Sequence, residues 1–538
     1  MRSLTSPPDI PRIHLFLFIL VLCFGNAGGT GEAVGGQILR FGLHTSGLGG
    51  IDPQEKQGTQ DAVFADLVFN GLVRHAPGQM EIMEADLARE VPKFCLRGGR
   101  QVWRVALRRG VFFHGSPGVP SHEMTSADVI FSLRRAIRLH PGMYPHEFQA
   151  IQFQALDDYT LEISLKRPLS PLFFFPLLSA GRGSAILSQR VIQAPGPFYP
   201  AGTGPFKFKE ILPGGTCVLA AHGGYFRGRP RLDGVVLHFI PDNGERRAAF
   251  DRGDLDVIIG SAKAGWLENL PPGCWVDFFG PGHIGMFHFN AQHPPLDDPR
   301  VRRAIILALD RSRFLENTNG TLARPIFAPM PRNSFPAGWD EKRTRSLGLI
   351  PQQNLQGARR LLTWAGYPRG FDLSVYVSEN RLYRQNYECL RDQLRAVGIE
   401  LTLKVVSHTE MHRRIRLDQN PIVLYFSNRP NPDIHLRGFF HSHSIVGTGA
   451  SPMTNFSHYT RVDHLLEDAF QQVDPVRQVQ LWDQVQIRLL SDAVVYPIYN
   501  IKNCILRWDR VVYGHPLVET RLGYPQFTEA THLLTPLP

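Results

Sequence analysis

Tyr387, Leu390, Leu394 and Val397 recur at the helical period up to Gly398, and Ile399, Leu401, Leu403 and Val405 alternate from the next residue on. A helix joined to a strand by a single glycine has to fold back on the sheet that the strand enters. Other stretches obey the same grammar. Residues 37–48 read as a strand running into the small-residue loop His44, Thr45, Ser46 and Gly47, and Trp103, Val105 and Leu107 mark one face of a strand over 101–107. Leu161, Ile163 and Leu165 mark another. Residues 59–74 read as a helix through Ala62, Leu67 and Leu72. Thr125 with Asp128 opens a second helix as a capping box, and Asp298 followed by Pro299 opens a third. Leu355, Ala358, Leu361, Leu362 and Ala365 form a fourth, stopping at Gly366, and beyond the helix that ends at Gly398 Asp474-Pro475 starts a sixth that carries Val479, Trp482, Val485 and Leu489. Alternating strands and helices predict α/β domains with helix-covered sheets. A chain of 538 residues exceeds one core and predicts two or three domains. Without repeats or a long linker, those domains are expected to share chain segments.

The N-terminus predicts export. Arg2 and Arg12 precede an apolar run over 15–24, and Gly25 and Ala27 follow at signal-peptidase spacing. Residues 1–27 therefore read as a signal peptide, with a mature protein from Gly28. The run falls short of the roughly 20 apolar residues a membrane span needs. Cys23 invites lipid anchoring, but Leu22 stands where lipoprotein signals carry a small residue, so a soluble periplasmic protein is expected. Five further cysteines, Cys95, Cys217, Cys274, Cys389 and Cys504, leave at least one thiol unpaired in a monomer. Their wide spacing argues against a zinc ribbon. The net charge of +10 is spread along the chain rather than gathered in a stripe, which predicts a basic solvated surface and no nucleic-acid partner.

Three phrases carry more. In AGTGPFKFKE (201–210) two glycines and a proline form a turn that leads into an alternating strand. TSADVIFSLRRA (125–136) lies upstream and FNAQHPPLDDPRVRRAIILALDR (289–311) downstream. NLQGARRLLTWAGYPRGF (354–371), QLRAVGIELTL (393–403) and DPVRQVQLWDQVQIRLLSDAVVYPIYN (474–500) follow in turn. In this order the six resemble the extracellular solute-binding proteins of family 5, the oligopeptide-, dipeptide- and nickel-type receptors of bacterial ABC importers. The resemblance implies a bilobal periplasmic-binding-protein-like fold of class II, with an extra domain on the first lobe. Lobe I would comprise 36–78, 199–288 and 502–538, the extra domain 79–198, and lobe II 289–501. It implies a monomeric receptor without cofactor or catalysis that delivers a small polar, peptide-like solute to an inner-membrane permease and its ATPases. A metal chelate, haem or a glycan-like ligand is the alternative on the same fold, and an enzyme or sensor using the same cleft is the third reading.

By the same resemblance, the ligand lies between backbone segments of both lobes: Thr45, Ser46 and Gly47 on one side, Tyr425, Phe426 and Ser427 on the other. Asn428 stands where the family's peptide receptors carry a carboxylate for the ligand's α-ammonium. Asn431 replaces a second acidic position, Asp433 keeps a third, and Arg429 adds a cation. A neutral amide cannot supply the counter-charge that a carboxylate gives an ammonium. A neutral, N-blocked or anionic ligand is therefore expected, with Asn428 and Arg429 as contacts.

Other features have two readings. His435, His441, His443 and His458 suit a metal, yet hydrophilic loop histidines are the commoner case. Gly280-Pro281-Gly282-His283-Ile284-Gly285 fits a dinucleotide-binding spacing, but MFHFN behind it alternates like a strand, so a hairpin turn is expected. FFFPLL (173–178) reads as buried core, and Arg134, Arg135 and Arg138 as a solvated helix face. Signatures such as Gly-x-Ser-x-Gly, His-Glu-x-x-His and the Walker loop do not occur.

Overall fold

The computed structural model describes residues 36–534 except 56–60, 140–150, 167, 180–183, 261–265, 317, 319, 336, 430 and 521. The segment read as a signal peptide, with Cys23, lies outside the described residues.

Local chemistry starts most helices where the sequence suggests. Asp298 accepts the Arg300 N–H at 2.7 Å, Asp474 the Val476 N–H at 2.9 Å, and Asn354 the Gly357 N–H at 2.7 Å. Asp128 reaches back to the Thr125 N–H at 3.0 Å ahead of the helix Ser126–Leu139. The helix expected over 59–74 is shorter, Asp61–Val68, and the chain turns extended at Val73–Ala76. A tertiary contact ends it: the Gly204 N–H donates to the Val68 carbonyl at 2.9 Å. The turn in AGTGPF is pressed so closely on this helix end that a Cβ on Gly202 would overlap the Val68 carbonyl oxygen. His114 and His222 then hold the Gly204 carbonyl at 3.0 and 3.2 Å.

A nine-stranded sheet organises the molecule. From edge to edge it runs Ile422–Ser427, Cys274–Phe289, Val495–Trp508, Val257–Ile259, Ile38–Leu43, Gly234–Phe239, Cys217–Ala221 and Phe206–Ile211, with Ala323–Pro325 paired to Val495–Trp508 off this path. Ile38–Leu43 is parallel to both its neighbours. The two long strands run from one hydrophobic core into another. Residues 274–279 pair with 503–508 beside Val257–Ile259, whereas 283–288 pair with 495–501 beside Ile422–Ser427. The register shifts between Phe279 and His283. Gly280-Pro281-Gly282 is thus a kink within one strand, and the hairpin expected there does not form. Gly282 has φ +71°, and a side chain on it would overlap the Ile501 carbonyl oxygen. Asn500 donates to the Pro281 carbonyl, and Asn503 to Gly280 at 3.4 Å.

The cores change over at the same kink. One packs Leu39, Phe41, Phe64, Phe206, Leu237, Phe279 and Ile505; another packs Ile284, Phe287, Ile305, Leu390, Leu424, Trp482 and Tyr499. A third gathers Trp103, Val129, Leu133, Leu161, Ile163 and Phe174 around the four-stranded sheet built on Arg100–Ala106. Phe174, Leu177 and Leu178 of the FFFPLL stretch are buried there. Arg135 departs from the solvated face expected of it. It pairs with Asp52 at 2.6 Å and ties the helix to the loop at 52–54.

Candidate functional site

Register places the two predicted binding segments on opposite sides of the kink. Ile38–Leu43 runs parallel to Val257–Ile259, whose Ile259 pairs with Ile505, so its carboxyl end points toward the crossing. Ile422–Ser427 approaches from the far side of the kink, and Ser427 pairs with Ile284 beside it. The carboxyl ends of two strands therefore aim at the crossing from either side, where open α/β sheets receive ligands. Among the described residues no hydrogen bond or ring contact joins the two segments, and three strands lie between them.

On the first side, His44, Thr45, Ser46, Gly47, Leu48 and Gly49 line an open hollow together with Pro241. The loop is anchored by the Gly49 N–H, which donates to Asp61 at 2.8 Å. Gly47 has open space where a side chain would be. This face offers backbone and small polar groups.

The second side is aromatic and cationic. Successive residues of a strand face opposite ways, and Tyr425 and Phe426 do so here. The Tyr425 ring lies 5.2 Å from Phe456 and 5.8 Å from His412, whereas Phe426 lies 5.5 Å from Tyr383 and 5.6 Å from Tyr499. Ser427 is buried, and its hydroxyl has no partner among the described residues. Asn428 and Arg429 follow, half-buried. Arg429 donates to the Thr454 hydroxyl at 3.2 Å and lies 5.4 Å over the Phe439 ring. Burial pulls its pKa below the usual arginine value. Asn431 caps the helix Pro432–Phe440 by accepting the Ile434 N–H at 2.9 Å, a task an amide performs as well as a carboxylate. Asp433 is buried, and burial pushes its carboxyl up to about 7 despite Arg437 at 3.8 Å.

Sequence reasoning missed four neighbours of this face. Phe371–Ser378 and Ile399–Val406 pair in parallel and end level with each other. Beyond those ends, Ser378 and the His408 Nδ1 stand 2.9 Å apart, and the Nε2 atoms of His408 and His412 3.2 Å apart. Tyr383 packs on His408 at 5.3 Å. The His412 imidazole is pushed down to about 4, first by burial, then by His408 and Arg416. The available signal was positional: His408 opens a helix directly behind a predicted strand.

Of the four histidines weighed as metal ligands, His441 and His443 adjoin, with rings 4.6 Å apart, while His435 and His458 have other partners. His435 faces the Pro329 carbonyl at 2.9 Å, His441 pairs with Glu467 at 3.4 Å, and His458 with Asp418 at 2.9 Å. His435, His441 and His458 are buried, which corrects the reading of all four as hydrophilic loop residues. Among the described residues no group of three or more His, Cys, Asp or Glu side chains could hold a metal. No described helix is long and apolar enough to cross a membrane.

A sequence profile of the bacterial extracellular solute-binding proteins, family 5 (Middle), matches residues 96–444. The chain belongs to this family. Di/tripeptide-binding protein 2 of Pseudomonas aeruginosa (strain UCBPP-PA14) is 26% identical over 413 residues, covering 70% of this chain and 73% of the relative. Heme-binding protein A of Haemophilus influenzae is 24% identical over 476 residues, covering 82% and 83%. Among solved structures, MoaA from A. tumefaciens R10 in complex with mannopinic acid is 28% identical and superposes with a TM-score of 0.74, over 93% of this chain and 99% of that one. The family 5 fold is the bilobal periplasmic-binding-protein architecture expected from the sequence, and members of family 5 are the solute-binding receptors of ABC importers.

Proposed function

We propose that this family 5 protein works in the periplasm, after removal of its signal peptide, as a monomeric, non-catalytic receptor that hands a small solute to an inner-membrane permease and its ATPases. The core built on Leu39 and Phe41 is lobe I, the core built on Phe287 and Trp482 is lobe II, and the core around Trp103 is the extra domain. The solute lies between Thr45–Gly47 and the segment from Tyr425 to Arg429. The observation that carries this reading is the pair of strand ends aimed from two bodies at one kinked crossing. A ligand touching both stabilises the closed arrangement by its differential affinity for it.

The relatives' names cover peptides, haem and mannopinic acid, so family alone leaves the solute open. Asn428 narrows it: the site holds no carboxylate at this position for a free α-ammonium. The reading is tested by thermal-shift and X-ray scattering measurements on the mature protein from Gly28, with free dipeptides and tripeptides, their N-acetylated forms, mannopinic acid, haem and divalent metals. The expected result is a stabilised, more compact protein with N-blocked or acidic solutes and no response to free peptides. Tight binding of free peptides with a strict amine requirement would refute the role given to Asn428. A hit that leaves the protein's dimensions unchanged would refute closure.

A further inference from the structure

Several buried or half-buried arginines are provided for in one of two ways, and Arg429 in neither. Arg135, Arg227 and Arg507 meet the carboxylates of Asp52, Asp86 and Asp277 at 2.6, 3.1 and 2.8 Å. Arg246 and Arg302 are buried on backbone carbonyls, those of Ile240 and Leu296 at 2.6 Å among them. Arg429 has no carboxylate within 4 Å among the described residues, and its described hydrogen bond goes to the neutral Thr454 hydroxyl. That hydroxyl spends its own proton on the Gly438 carbonyl at 2.7 Å. The Arg429 Nε is buried with no acceptor among the described residues, as are those of Arg227, Arg246 and Arg510.

A guanidinium does not shed its charge on burial, and a buried charge without a counter-ion is costly. The nearby ionisable groups add nothing negative at neutral pH. Tyr425 is a phenol, Arg416 is a second cation that disfavours the charge on Arg429, and His412 feels Arg416 as well. Asn428, next in the chain, is neutral. Asp433, on the following helix, faces Arg437 at 3.8 Å rather than Arg429, and burial pushes its carboxyl up to about 7.

We infer that Arg429 is the anchor for an anionic group of the solute, a carboxylate or a phosphate, which supplies the counter-charge the protein chain omits. This rests on the receptor reading above and names the chemistry of its ligand. The free edge of the guanidinium gives such a group a charge-assisted partner, and the Phe439 ring backs it, with its centroid 5.4 Å from the guanidinium carbon.

The test compares wild type, Arg429→Met and, as a surface control, Arg138→Met. Each is titrated with sodium succinate and with inorganic phosphate at constant ionic strength, with chloride as the reference and melting temperature as the readout. Ligand-free Arg429→Met is expected to melt above wild type, because an uncompensated charge is gone. Wild type and Arg138→Met are expected to show saturable stabilisation by the matching anion, and Arg429→Met to need about tenfold more or to show none. A response to succinate alone assigns a carboxylate, and one to phosphate alone a phosphoryl group. The inference is overturned if Arg429→Met melts well below wild type, if it keeps the full anion response, or if wild type does not respond. Those results leave the receptor reading standing, because solute-driven compaction is measured separately and without this variant.

Discussion

The two faces that flank the kinked crossing are built on opposite plans. The loop after Leu43 carries small residues, is half-exposed, and offers backbone. The end of Ile422–Ser427 carries two aromatic rings, a buried hydroxyl, an amide and an unpaired guanidinium, with a histidine pair beside them. A backbone face accepts any solute with an extended polar edge, and main-chain bonds of that kind give affinity without choice. A face of rings and buried charge accepts few, because each mismatched group leaves a polar atom dry. On the proposed receptor reading, affinity is spread over both faces and selectivity concentrated in the second.

Four experiments would break or sharpen this contrast. The largest effect is expected at the support both faces share. Gly282→Ala places a side chain at φ +71° against the Ile501 carbonyl, and should destabilise the protein by about 3 kcal/mol or more in denaturant unfolding. An unchanged midpoint would mean that the crossing yields more easily than its packing implies. Next comes Asn428→Asp. A carboxylate beside Arg429 should satisfy it internally, lower affinity for acidic solutes by about 100-fold in calorimetric titration, and open the site to free-amine peptides.

A smaller effect is expected from pH. The His412 pKa is about 4 in the folded protein against an ordinary 6.5, so between these values the unfolded chain holds a proton that the folded one lacks. Stability from this group is complete above about 6.5 and is lost as pH falls toward 4. Buried His288 and His435, both pushed down to about 3, act in the same sense. His412→Gln should therefore flatten part of the acid limb of melting temperature against pH, and an unaltered limb would show that His412 is not among its sources. The smallest effect belongs to the loop: Thr45→Ala should change solute affinity by less than about threefold. A larger loss would show that side chains on this face choose as well.

What the sequence revealed follows the reach of each interaction. Caps at Asp298, Asn354 and Asp474 act within three residues, so the helices behind them were legible. Leu72 fits a helical period as well as Leu67 does, yet the helix stops at Val68 because Gly204, far along the chain, takes its carbonyl. Gly280-Pro281-Gly282 has the local chemistry of a turn, and only the distant strand Val495–Trp508, pairing along both halves, keeps it straight enough to be a kink. The same limit applies to the site. Tyr425 to Arg429 were legible as a phrase, whereas Ser378, Tyr383, His408 and His412 are separated in sequence and meet only because two parallel strands end level. That Arg429 lacks a counter-ion is a property of everything around it, which no sequence pattern displays.

The shared strands also set an order of events. Val257–Ile259 finds its partner in Ile505, Leu506 and Arg507, and residues 274–279 find theirs in 503–508. A chain delivered from its N-terminus, by a ribosome or through an export channel, therefore reaches the last part of its length before the sheet begun at Ile38 can be completed. Until then the edge of Val257–Ile259 that faces Ile505 to Arg507 has no strand to pair with.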